Sequence, residues 1–175
     1  MYSLAVYGNE CKKELDNLGI EYANNISFTV NSRAKSRWGR CNKNRGGRYV
    51  IEINSELLNE CNSLRGLKET ILHEMIHTVS GCMNHGDKWK RLADKVNRRY
   101  GYAIKRTNSP EDKGLCDEAI RERNETRQQK LDAMPTYRVV CEQCGHEYIR
   151  HKMSKLITDT EHYRCACNGK LKRVQ

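Results

Sequence analysis

The sequence predicts an α+β fold, and three observations carry that reading. Apolar residues recur at three- and four-residue intervals over 4–18, 64–79 and 89–100, the period of helices that bury one face. Between the first two stretches, Ile26, Phe28 and Val30 alternate with Ser27, Thr29 and Asn31, the period of a half-buried strand, and Tyr49-Val50-Ile51-Glu52-Ile53-Asn54 repeats it. Residues 135–175 hold four of the nine cysteines and little that could form a core. They read as a small appended module that needs a staple to fold.

The elements follow in order. Leu4, Tyr7, Cys11, Leu15 and Leu18 form the buried stripe of the first helix, which Asn17-Leu18-Gly19 closes. The strand over 26–31 comes next, then a second at Arg37-Trp38-Gly39-Arg40-Cys41, a turn at Asn44-Arg45-Gly46-Gly47 and the third strand, together a short three-stranded β-meander. Leu64, Leu67, Ile71, Leu72, Met75, Ile76 and Val79 mark a helix that stops at Ser80-Gly81, where glycine accommodates a helix end. Asp87 is the expected N-cap of the following helix. That helix buries Trp89, Leu92, Ala93, Val96 and Tyr100 and turns Lys88, Arg91, Lys95, Arg98 and Arg99 the other way. Tyr100-Gly101-Tyr102-Ala103-Ile104 reads as an exit strand. The organisation expected is a main domain over 1–106, a charged linker or solvated helix over 107–134, and the cysteine module over 135–175.

Composition excludes some functions. Only 37% of the chain is hydrophobic, 31% is charged, and the mean hydropathy is −0.88. No apolar run approaches the ~20 residues of a membrane span. No signal peptide opens the chain, so it is not expected to be secreted. The expected compartment is the cytoplasm for a bacterial or phage chain and the nucleus for a eukaryotic one. In such reducing surroundings, nine cysteines read as metal ligands or buried apolar residues rather than a disulfide framework. Lys and Arg number 32 against 22 acids, a net charge of +10. The excess lies in two blocks: residues 31–50 have seven cations and no acid, and residues 88–106 have eight cations against Asp94 alone. Such blocks face a polyanion, usually nucleic acid, or form a solvated surface with no partner. The candidate contacts are Arg37, Arg40, Lys43 and Arg45 in the first block, and Lys88, Arg91, Lys95 and Arg98 in the second.

His73-Glu74-Met75-Ile76-His77 sits within the apolar stripe of the second helix. Residues four apart share a helix face ~6 Å along the axis, so both imidazoles can reach one Zn²⁺ at ~2.1 Å. Glu74, on the edge of that face, can take a proton from water whose pKa zinc lowers to about 7. Two unpaired histidines on an apolar stripe would be costly, which favours ligands over satisfied core residues. His85 in Met83-Asn84-His85-Gly86-Asp87 can fold back as a third imidazole and leave a fourth position open, the arrangement of a catalytic zinc. Cys82 is the rival third ligand, close to the helix end for turning back.

Ser36-Arg37-Trp38-Gly39-Arg40-Cys41, then Ile71-Leu72-His73-Glu74-Met75-Ile76-His77, then Asn84-His85-Gly86-Asp87-Lys88-Trp89 resemble the successive signatures of the SprT-like metallopeptidases, the family that includes Spartan. The likeness spans roughly residues 5–106 and continues into the cysteine module. It implies a zincin-like catalytic domain with His73, His77 and His85 on zinc and Glu74 as general base. It implies a zinc endopeptidase acting on protein substrates and, in the Spartan branch, on proteins bound or crosslinked to DNA; the chain is expected to be a monomer, with single-stranded or junction DNA among its expected partners. By the same resemblance the edge near Trp38–Cys41 would take the substrate as an added strand. Trp38 itself is either a core or hairpin anchor or a substrate contact. Tyr100 and Tyr102 are either core residues or a second oxyanion stabiliser at the cleft.

In the module, Cys141-Glu142-Gln143-Cys144-Gly145 is a zinc knuckle, and Cys165-Ala166-Cys167-Asn168-Gly169 offers a second thiol pair. Together they make a Cys₄ structural zinc site, a zinc ribbon of the kind SprT-like proteins commonly carry. The second half has CxC where CxxC is usual, so His162 or His146 stands as a replacement for one of its thiols. Two zinc ions are therefore expected. The other five cysteines, Cys11, Cys41, Cys61, Cys82 and Cys116, are expected to be buried apolar residues. Three functions follow: a zinc metallopeptidase recruited to DNA, a zinc-containing nucleic-acid-binding protein that cleaves nothing, or a peptidase with incidental basicity. Glu74 favours a peptidase, because metal binding alone does not require it.

Overall fold

Helix α1 (Leu4–Asp16) begins where Ser3, in extended conformation, accepts a hydrogen bond from the Val6 N–H. That satisfies one of the donors a helix start leaves free. Cys11 and Leu15 on its inner face are fully buried. The structure, a computed structural model, describes residues 1–34 and 36–174. It divides into two compact units, Met1–Ile120 and Arg121–Gln175.

Strands β1 (Ile26–Asn31), β2 (Gly39–Lys43) and β3 (Tyr49–Asn54) form one sheet in the order β1-β3-β2. The three strands are present, but they are not a meander. β1 runs parallel to β3, with Phe28 opposite Ile51, and β2 runs antiparallel to it, with Cys41 opposite Ile51. The physical reason is burial: β3 carries Tyr49, Ile51 and Ile53 into the core and takes the centre, leaving the half-exposed β1 and β2 as edges. β2 starts two residues later than expected. Arg37 lies in a loop instead, where the Asn54 side chain donates to the Ala34 and Arg37 carbonyls at 3.0 and 3.1 Å.

Helix α2 (Leu64–Ile76) supplies much of the core through Leu67, Ile71, Leu72, Met75 and Ile76. Turns carry the chain from His77 to Gly81, which adopts φ +77. Helix α3 (Asp87–Tyr100) is capped at its N-terminus by Gly86, and Asp87 is its first residue rather than its cap. The reason is local: Asn84 Oδ1 accepts the Gly86 N–H at 3.1 Å and sets the turn one residue earlier. Gly101, at φ +72, ends the helix in the left-handed region that glycine tolerates. The exit strand expected after it does not form. The Ala103 and Ile104 N–H groups donate to Glu69 Oε1 and Asn97 Oδ1, both at 2.8 Å, so side chains take the place of a ladder. The first unit runs past residue 106 because Lys113 and Leu115 are buried in it. Helix α4 (Asp117–Asp132) buries no residue.

In the second unit, β4 (Tyr137–Cys141), β5 (Glu147–Arg150) and β6 (Leu171–Arg173) make an antiparallel sheet in the order β5-β4-β6, with the single-turn α5 (Lys155–Thr158) beside β4. Its core consists of Val139, Cys141, Ile157, Cys165 and Leu171. Among the five other cysteines, Cys11 and Cys82 are buried, Cys41 and Cys116 are half-buried, and Cys61 is exposed. Cys61 departs from the buried expectation because Asn59 Oδ1 accepts its N–H and holds it in a surface turn, 2.7 Å from Cys116 Sγ. Among the described residues no helix is long and apolar enough to cross a membrane.

Candidate active site

Helix spacing puts His73 and His77 on one face of α2, and the turn after Gly81 returns His85 to them. His85 Nε2 lies 3.0 Å from His73 Nε2 and 3.2 Å from His77 Nε2. The opposite ring nitrogens face carbonyls: His73 Nδ1 donates to Lys105 O at 3.2 Å and His77 Nδ1 to Cys82 O at 2.7 Å. A carbonyl only accepts, so both Nδ1 atoms carry the proton and both Nε2 lone pairs point at the common centre. Cys82 therefore serves through its backbone oxygen, and its thiol is not the third ligand. Trp89 packs against all three rings, at centroid distances of 4.7, 5.6 and 4.6 Å. Burial, then the neighbouring His77 and His85, pushes the His73 pKa down to about 3, and burial also lowers His77 and His85. All three are thus neutral, as ligands must be.

The donor set fits a tetrahedral zinc. Zn–N bonds of ~2.1 Å at tetrahedral angles hold nitrogens about 3.4 Å apart, close to the spacing observed. Lone pairs brought so near repel one another unless a cation stands between them.

The three histidines open on a cleft of about 410 Å³ that β2, α2 and the 106–113 segment enclose. Glu74 lines it and is 7% exposed. Burial raises its pKa to about 7, against the lowering by a Cys41 backbone hydrogen bond and the Lys113 charge. Gly39 of β2 lies directly over Glu74: a Cβ there would stand 2.7 Å from Glu74 Oε1. Trp38 lines the cleft and donates from Nε1 to Asn108 O at 3.2 Å, tying the two walls together.

The tyrosines lie elsewhere. Tyr100 donates to Glu14 O at 3.0 Å and Tyr102 to Glu14 Oε1 at 3.1 Å, toward α1, and neither lines the cleft. Arg37 and Arg40 stand at the cleft wall, with Arg37 3.8 Å from Glu52. Lys43 lies over the Tyr49 ring at 5.3 Å, and Arg45 is exposed in the turn. On α3, Lys88 donates to Ser80 O, Lys95 donates to Leu18 O and Arg98 pairs with Asp94. Arg91, Lys95, Arg98 and Arg99 line a separate open groove of about 490 Å³.

Lys113 and Thr70 also line the cleft without standing out in the sequence, and so does Arg106, the last cation of the second basic block. Lys113 sits in a stretch whose charge suggests a linker. The sequence signal there is the apolar Leu115, which follows the Ser109-Pro110 turn by a few residues and gives that turn something to bury.

The second unit gathers Cys141, Cys144, Cys165 and Cys167, all four sulfurs within 4.8 Å of one another. The Cys141–Cys167 and Cys144–Cys165 sulfurs are each 3.5 Å apart. The knuckle closes through Gly145 N–H to Cys141 O at 3.0 Å, and the CxC half closes through Asn168 N–H to Cys165 O at 2.8 Å. Gly169 is required here, since a Cβ would fall 2.6 Å from Cys141 Sγ. Tyr148 donates to Cys165 Sγ at 3.3 Å and, with the Cys167 N–H, lowers the Cys165 pKa to about 6. His162 bonds Asp159 and His146 packs on Tyr148, so neither histidine joins the sulfur cluster. Four converging sulfurs at this spacing suit a tetrahedral thiolate site.

A model of the SprT-like family matches residues 8–109 of the chain. No curated protein matches it. Among solved structures it is similar to the metallopeptidase zymogen of Methanocaldococcus jannaschii jannalysin, at 18% identity and a TM-score of 0.36, over 71% of this chain and 96% of that one.

Proposed function

Because this chain belongs to the SprT-like family, we propose that it is a zinc metalloendopeptidase that is brought to DNA and cleaves proteins bound or crosslinked there. One observation carries the reading: three neutral imidazoles converge through Nε2 in the same cleft as a buried carboxylate. Zinc, held by His73, His77 and His85, would polarise the scissile carbonyl and acidify the attacking water. Glu74 takes the proton from that water and gives it to the leaving amine. Burial, which raises the Glu74 pKa, strengthens it as a base for that transfer. Among the described residues β2 is an edge strand whose sheet partner is β3, so an extended peptide can add along its other edge at the cleft, where the Cys41 N–H meets Glu74. The four cysteines hold a second zinc in a ribbon, and that ion supplies folding energy that a core of five residues lacks.

Charge supports the DNA part of the reading. Arg37 and Arg40 stand at the cleft, and Lys88, Arg91, Lys95 and Arg98 are all exposed on α3. A binding-only protein has no use for Glu74, whose burial beside the ligands is costly.

The test is cleavage of a DNA-bound protein, with and without DNA, by the native chain and by Glu74→Gln. The variant is expected to keep its zinc and lose about 10²–10⁴-fold in rate. Undiminished cleavage by Glu74→Gln would remove Glu74 as the base. Equal rates with and without DNA would remove the recruitment.

A further inference from the structure

Lys113 is 3% exposed, yet it lines the cleft together with Glu74, His73 and Thr70. Its backbone is held hard against the helix that carries them: the Lys113 carbonyl oxygen lies 1.9 Å from where a Gly66 Cβ would stand. Gly66, Thr70 and Glu74 follow one another at four-residue spacing, a single face of α2. The turn that presents Lys113 is closed by its N–H to Ser109 O and Pro110 O, each at 3.2 Å, and by Gly114 N–H to Glu111 O at 2.8 Å. Leu115 anchors it in the core, and Asn108 O anchors it to Trp38 across the cleft.

Among the described residues, the Lys113 ammonium has no hydrogen bond and no ion pair. Three carboxylates act on its charge from further off, Glu69, Glu74 and Asp112, the last already paired with Lys105 at 2.9 Å. Glu69 is already engaged, accepting from Arg65 Nε at 2.9 Å and from the Ala103 N–H at 2.8 Å. With Lys113 3% exposed, its ammonium keeps little water, and an ammonium so largely desolvated is costly without a close partner. Its place in a reaction cleft makes sense if an anion arrives there. A peptide substrate brings no charge at its scissile amide, and negative charge develops on the carbonyl oxygen only as that carbon becomes tetrahedral.

We propose that Lys113 is a further catalytic residue, whose ammonium binds the oxyanion formed at the scissile carbonyl. The proposal rests on the peptidase reading above. An interaction made only in the transition state raises kcat and leaves KM in place. That separates this role from a salt bridge to an acidic substrate side chain, which would act on KM.

The experiment compares the zinc-loaded native chain with Lys113→Met, with zinc content and thermal melting as controls on the fold. Three quantities are measured: kcat and KM for a peptide, and the Kd of a phosphinic peptide, a non-hydrolysable mimic of the tetrahedral oxyanion. Loss of one oxyanion donor is expected to lower kcat about 10²–10³-fold, to leave KM unchanged, and to weaken the phosphinic peptide in proportion. Lys113→Gln, which keeps a polar tip in the buried site, takes its place if the methionine variant melts early, with the same expectation. An unchanged phosphinic-peptide Kd, or a raised KM with native kcat, would overturn the assignment. The Kd needs no turnover. A native chain that cleaves nothing therefore removes the peptidase reading, while the Kd comparison still decides Lys113.

Discussion

Gly39 leaves the room that Glu74 occupies. A Cβ there would meet Glu74 Oε1 at 2.7 Å, Glu74 Cγ at 2.8 Å and Thr70 Cγ2 at 3.0 Å. β3 holds the strand in register, with Gly39 opposite Ile53, so the carboxylate must give way rather than the strand. Gly39→Ala is therefore expected to keep its zinc and lose about 10²-fold in kcat by displacing the base. It should cost about 1–3 kcal/mol in thermal unfolding. Metal content measured beside kcat checks this: unchanged kcat would mean that the contact does not position Glu74. The residues legible in the sequence are those whose placement a helix repeat fixes, such as His73, Glu74 and His77. Lys113 was not legible, because its position depends on a loop folding back onto Gly66, a contact between residues far apart in sequence. Tyr100 packs against the core, one of the two readings open to it, and the sequence alone does not decide between them for a related reason. Periodicity puts it on the inner face of α3, but only the packing of α1 shows that its hydroxyl meets Glu14.

Among the elements, α2 joins the core to the cleft, and Gly66 is where the two demands meet. Alanine in place of a helical glycine ordinarily gains up to about 1 kcal/mol. Here the added carbon would stand 1.9 Å from the Lys113 carbonyl, a backbone atom that moves only if its whole turn moves. Overpacking of this kind costs about 1–3 kcal/mol, so the sign reverses. Gly66→Ala should melt at lower temperature and exchange amide hydrogens faster over 107–116. A higher melting point would show that the turn yields freely. Where α1, α2 and the 101–105 loop meet, Lys68 bonds Glu14 at 2.5 Å, and Tyr102 donates to the same carboxylate. Burial first, then the Glu14 charge, raises the Tyr102 pKa to about 12, and burial also takes Tyr22 to about 12. A phenol raised in the folded state contributes stability that is intact below the unfolded value near 10 and lost as pH climbs to 12. Unfolding free energy should thus fall between pH 10 and 12, and Tyr102→Phe should flatten that fall. The helices and the strands themselves could be read from periodicity. The β1-β3-β2 order could not, because pairing depends on which strand the core claims. The missing exit strand was hidden too, since its N–H groups go to Glu69 and Asn97, partners that no local pattern reveals.

At the scale of the whole molecule, the two units differ in what holds them together. The first has a core of nineteen buried residues across helices and sheet, and the second has five, two of them cysteines of the sulfur cluster. A chelator should therefore unfold the second unit and leave the helices of the first largely intact, as zinc-dependent modules behave without metal. Limited proteolysis with circular dichroism checks this: protection of 135–174 in the presence of chelator would remove the structural role of the metal. Charge makes a separate claim. The groove lined by Arg91, Lys95, Arg98 and Arg99 is open and lies apart from the cleft lining. Cations there can meet phosphates without occupying the place of a peptide. If Arg91 and Lys95 each neutralise one phosphate of duplex DNA, replacing both with alanine should flatten the slope of log K against log salt by about 1.8. Affinity should weaken across sequences alike, because phosphate contacts carry no base information. A titration at several salt concentrations decides it: a slope unchanged by both substitutions would place the DNA elsewhere and leave the α3 charge as a solvated face.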